Sequence, residues 1–143
     1  MAWTIQVLPV RRSGNYKFLT LRCTTSAGGA LTATDFLSET YMPRDVKSQI
    51  QGHTLMEIKA DPGAAAQPDN AWNFTIYDRD GDAILTVTDT SATVPARYDA
   101  STDIGSYPTI EDKMYIAFPT AADFSANDSV DLVFKFWVEP GAK

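Results

Sequence analysis

The chain has 143 residues, 44% apolar and 21% charged, the proportions of a folded domain with a full core rather than a disordered segment. Its longest apolar run is five residues, Met114 to Phe118, far short of the ~18–20 that a membrane-crossing helix needs, so no membrane partner is expected. Twelve Lys and Arg against eighteen Asp and Glu leave a net charge of −6, which argues against a nucleic-acid partner. The charge is uneven. Residues 1–59 carry seven basic and four acidic side chains, and residues 60–143 carry five and fourteen. If the two halves lie at different ends of the fold, that polarity suits docking. The opening Met1-Ala2-Trp3-Thr4-Ile5-Gln6 has no basic stretch leading into an apolar one, so a signal peptide is not expected. A lone cysteine, Cys23, allows no intrachain disulfide and fits synthesis in a reducing cytoplasm.

In chain order, Trp3 to Val10 reads as a strand, Arg11 to Asn15 as a turn, and Tyr16 to Thr24 as the returning hairpin partner. Cys23 falls on the same face as Leu19 and Leu21 and is expected to be a small core residue. Ser26 to Gly29 is a loop. Pro43 to Gln51, closed by Gly52, has the proline-first, glycine-last pattern of a short surface helix, with Val46 and Ile50 on one side. Thr54 to Ala60 alternates as a strand with Met56, Ile58 and Ala60 on one face. Asp61 to Asn70 is a loop, Ala71 to Asp78 a strand with Trp72, Phe74 and Ile76 together, and Arg79 to Asp82 a tight turn into a strand from Ala83 to Thr88. Residues 89–112 read as one long polar connection, of the kind that is often functional. Met114 to Phe118 and Ser129 to Glu139 are the last strands. In the latter, Val130, Leu132, Phe134, Phe136 and Val138 alternate with Asp131, Val133, Lys135, Trp137 and Glu139. About seven strands with mostly hairpin-like links predict a single all-β domain over 1–143. Its expected form is an antiparallel β-sandwich or jelly-roll-like barrel with one short helix.

Catalytic patterns are sparse. His53 is the only histidine, and no nucleophile elbow or His-Glu-x-x-His stands near it, so no enzyme and no catalytic residue is expected. No phosphate-binding glycine loop follows a strand, and no cofactor is expected. Asp78, Asp80 and Asp82 have the alternating oxygen donors that open a calcium loop, with Asp89 at its twelfth position. Yet Ala83 stands where that loop needs glycine, and strands flank it. A hairpin turn with Asp78 capping and Gly81 at positive φ is the expected reading, and a metal site is not. Trp72, Tyr77, Trp137, Tyr41 and Tyr107 are candidates for a sugar-stacking face, with core or interface packing the commoner fate of such rings.

The runs Leu55 to Gly63 and Pro68 to Leu85 string together a strand, Asp61-Pro62-Gly63, Pro68-Asp69-Asn70, a second strand, Asp78-Arg79-Asp80-Gly81 and a third strand. This order resembles a widespread family of small tailed-bacteriophage virion proteins, and Asp128 to Phe136 is similar to that family's closing strand. The likeness covers roughly half the chain; residues 1–53 and 89–112 depart from it, and the helix-like stretch at Pro43 to Gln51 looks like an insertion. The resemblance implies a structural component made in the host cytoplasm and resident in the virion. A capsid decoration (cement) protein is the leading form, with the major capsid protein or other virion proteins as partners. A tail or head–tail connector component and a carbohydrate- or receptor-binding module are the alternatives. A homo-oligomer is expected, a trimer by preference. The expected interface comprises Trp3, Ile5 and Val7 of the first strand, Arg11 and Arg12, and Tyr98, Ile104 and Tyr107 of the long connection, which also holds Val94 and Ile110. The basic group Arg11, Arg12, Lys17 and Arg22 is expected to face an acidic surface.

Overall fold

The structure is a computed structural model and describes residues 2–139. Among these, ten strands form two antiparallel sheets packed face to face as a sandwich, with no closed barrel. In chain order they are β1 (Trp3–Val7), β2 (Arg11–Ser13), β3 (Tyr16–Thr25), β4 (Leu31–Asp35), β5 (Thr54–Asp61), β6 (Trp72–Tyr77), β7 (Ala83–Thr90), β8 (Ala96–Asp99), β9 (Tyr115–Phe118) and β10 (Ser129–Trp137). The helix α1 (Arg44–Ile50) lies between β4 and β5, with Pro43 at its N-cap. The first sheet has the order β1-β3-β10-β5-β8, with β2 also on β3; the second has the order β4-β9-β6-β7.

β10 sits at the centre of the first sheet, between β3 and β5. Its strict alternation explains why. Val130, Leu132, Phe134 and Phe136 are buried, while the residues between them face out. They meet Phe74, Ile76, Ile116 and Phe118 of the opposite sheet in one core cluster. An aromatic group built on Trp3 closes one part of it: Trp3 stacks on Phe118 at 4.8 Å and meets Phe124 edge-on at 4.9 Å.

Four expectations need correction. The first strand stops at Val7 because Pro9 has no N–H for the ladder; Arg11 to Ser13 resumes it as β2 along the same neighbour, leaving Gly14 and Asn15 as the turn. Met56 does not share the inward face of Ile58 and Ala60. Lys135 pairs with Glu57 but Phe136 pairs with Leu55, so Met56 is the extra residue of a β-bulge and Leu55 is the buried one. The connection 89–112 is not one loop. β7 runs on to Thr90, β8 pairs with β5, and a single π-helical turn follows over Ala100–Ile104, ended by Gly105 at φ +84°. Finally, β4, which pairs with β9, lies where no strand was expected.

β6 and β7 form a hairpin, while the Asp61–Asn70 connection crosses from the first sheet to the second.

Candidate interaction surface

Trp3 and Ile5 point inward and are buried, so a neighbouring molecule meets only the open edge of β1 and its outward Thr4 and Gln6. Val7 is half-buried against the core. Tyr98 faces inward from β8: its hydroxyl donates to Thr90 Oγ1 at 2.7 Å and its ring meets Phe74 edge-on at 5.9 Å. Ile104 packs on the core, and Ile110 is buried. Of the expected interface, Arg11, Arg12 and Tyr107 stand on the surface, together with Val94; the two apolar side chains are 53% (Tyr107) and 60% (Val94) exposed.

The basic group also divides. Lys17 is buried; its ammonium donates to the Gln49 carbonyl at 2.6 Å and lies 3.2 Å from His53 Nε2. Burial, and then the Arg12 charge, lower the Lys17 pKa; burial and the Lys17 charge lower that of His53. The Lys17 ammonium can only donate, so His53 Nε2 accepts from it when the ring is neutral. Arg22 is held by Asp131 through two hydrogen bonds of 3.0 and 3.1 Å. Among the described residues, Arg11 and Arg12 are the two of the four that are exposed and make no ion pair.

Lys135 joins them, which sequence reasoning missed. The register sets Arg11, Phe18, Lys135 and Glu57 side by side across β2, β3, β10 and β5. Pairing over more than 110 residues produces that row, so no local spacing announces it. Its only trace in the sequence is that the outward positions of β10 include Val133 and Trp137 as well as Asp131 and Lys135.

The Asp-rich turn is a backbone cap. Asp78 Oδ1 accepts from the N–H groups of Asp80 and Asp82 at 3.0 and 2.9 Å, and Gly81 sits at φ +84°. Asp89 lies at the far end of β7, in a bulge, with its N–H donating to Asn73 Oδ1. At ~3.3 Å per residue that is roughly 20 Å from Asp82, so Asp89 does not close a calcium loop with this turn. Cys23 is fully buried, and burial pushes its thiol pKa up, the condition of an inert core cysteine.

Of the sugar-stacking candidates, Trp72 is buried in the core and Tyr107 is exposed. Tyr77 pairs in register with Tyr115 on the outer face of the second sheet, beside Ala33, Arg79 and Asp80. Trp137 is outward on β10, edge-on to Tyr16 at 5.5 Å. Tyr41 is half-buried and packs on the core.

No family model matches the chain. No curated protein matches it either.

Proposed function

We propose that the protein is a structural component of a bacteriophage particle, a capsid decoration protein that docks on the assembled head through many modest contacts. The observation that carries this reading is the ordered set of turn motifs, Asp61-Pro62-Gly63, Pro68-Asp69-Asn70 and Asp78-Arg79-Asp80-Gly81, set between strands as in the family it resembles. Three features support it. The open edge of β1 offers unpaired backbone groups to a neighbour. Val94 stands exposed just before β8 and Tyr107 just after the π-helical turn that follows it. Arg11 and Arg12 present positive charge on an otherwise acidic molecule. A homo-oligomer, a trimer by preference, multiplies each contact by avidity.

Sedimentation of the purified protein and its binding to empty capsids test this. An oligomer that binds, and loses binding in the Val94→Glu/Tyr107→Glu double variant, supports the reading. A monomer at micromolar concentration that ignores capsids ends it. The Tyr77–Tyr115 pair favours a second reading, a carbohydrate- or receptor-binding module. Glycan binding lost on Tyr115→Ala would support that one instead.

A further inference from the structure

A sheet covered on one side ordinarily shows polar residues to water on the other. The first sheet departs from this. Tyr16, Phe18, Val133 and Trp137 all point away from the core, on the faces of β3 and β10 opposite Leu19, Leu21, Leu132 and Phe134. The register gathers them into three adjacent rows: Ser13, Tyr16, Trp137 and Thr54 in one, Arg11, Phe18, Lys135 and Glu57 in the next, and Thr20, Val133, Lys59 and Arg97 in the third. The Lys135 ammonium sits 4.3 Å over the Tyr16 ring, and the Arg11 guanidinium 5.1 Å over the Phe18 ring. A groove of about 290 Å³ follows the second and third rows, lined by Phe18 and Val133, by Arg11 and Lys135, and by the Arg97–Glu57 pair.

The charges on this face are not equally engaged. Glu57 is held by Arg97 at 3.1 Å, Lys59 by Asp61 at 3.6 Å, and Arg22 by Asp131. Among the described residues, Arg11 and Lys135 meet aromatic faces and no carboxylate. A cation over a ring keeps its charge and leaves its outer side for another partner. Aromatic and Arg side chains around a desolvatable centre are the composition of an interface hot spot.

We infer that this face docks an extended acidic segment of a partner protein, one whose same-side positions (i, i+2, i+4) alternate apolar side chains with carboxylates. In an extended segment, same-side residues recur about every 7 Å, close to the spacing of the rows on the sheet. Its carboxylates reach Arg11 and Lys135, and its apolar side chains lie on Phe18, Val133 and Trp137. A nucleic acid is a poor occupant, because the chain's net charge of −6 repels it and only these two cations on the face lack a carboxylate. The inference rests on the register and contacts of this face and stands apart from the virion reading.

Trp137 supplies the probe, because Trp3 and Trp72 are buried. A short peptide with Leu and Glu alternating at every second position and Ser between them (the Glu–Leu peptide) is titrated at low salt while tryptophan emission is followed. The same is done with a Lys–Leu peptide and a single-stranded oligonucleotide. The expected result is saturable binding of the Glu–Leu peptide alone. It should weaken about tenfold in the Arg11→Glu/Lys135→Glu variant, about threefold in Lys135→Gln, and steadily as salt rises. Lys135→Gln keeps the side-chain stem over Tyr16 and so guards against a folding defect. No titration at millimolar peptide, equal affinity in the variants, or preference for the oligonucleotide or the Lys–Leu peptide would overturn the inference. So would sedimentation showing an oligomer that the Arg11→Glu/Lys135→Glu variant breaks into monomers, because this face would then lie between copies of the chain.

Discussion

Truncating Leu55 and truncating its neighbour Met56 should have very different consequences. Leu55 is fully buried, stands opposite Phe136 of β10, and donates its N–H to the Pro108 carbonyl at 2.7 Å. Met56 is the extra residue of the bulge and is half-exposed. Leu55→Ala removes three buried carbons, about 2.4 kcal/mol at ~0.8 kcal/mol each, and the cavity left behind raises the total to about 3–4 kcal/mol. Met56→Ala should cost less than about 1 kcal/mol. Urea unfolding with a common slope of about 2 kcal/mol per molar then moves the Leu55→Ala midpoint down by roughly 1.5–2 M and the Met56→Ala midpoint by under ~0.5 M. Equal losses, or a larger loss at Met56, would mean that β5 pairs with β10 without the bulge and that its inward face is misassigned.

Further outcomes follow from the turns and the buried polar groups. Asp78→Ala should lower stability by about 1 kcal/mol, through loss of the two capping bonds, while Asp80→Asn leaves the melting temperature unchanged with or without calcium; a calcium-dependent rise that Asp80→Asn abolishes would replace the cap with a metal site. Gly28→Ala places a Cβ 2.6 Å from the Phe124 carbonyl at φ +77°, and should cost more than about 2 kcal/mol, against about 1 kcal/mol for Gly14→Ala, which points into open space; thermal unfolding of the pair decides. His53 has a lowered pKa in the fold, so the unfolded chain takes up its proton first, and stability should fall as pH drops from about 6.5 through that lowered value. The same melting curves for His53→Gln should lose that component of the slope, and an unchanged slope would show that the Lys17 contact is not linked to protonation.

How far the sequence revealed these features depended on range. β10 was legible because nine residues alternate without a break, and the Asp78–Asp82 turn because the cap and the glycine are local. β4 was not, since only Leu31 of its five residues is buried and its pairing is with β9, more than eighty residues away. β8 hid for the same reason: its short run of Ala96 to Asp99 becomes a strand only through β5. Apolar character in a strand or long connection does not tell exposure from burial. Trp3 and Tyr98 are spent on the core, and the surface that remains is assembled by register, bringing Lys135 beside Arg11.

A density map of phage particles released from cells that make this chain tests the central proposal most directly. The account predicts this β-sandwich on the outer face of the head, repeated over the whole capsid lattice as oligomers, with the β1 edge or the exposed Val94 and Tyr107 against a neighbouring subunit. A particle without it, or one that holds it only as a single ring at the neck or along the tail, would contradict the account.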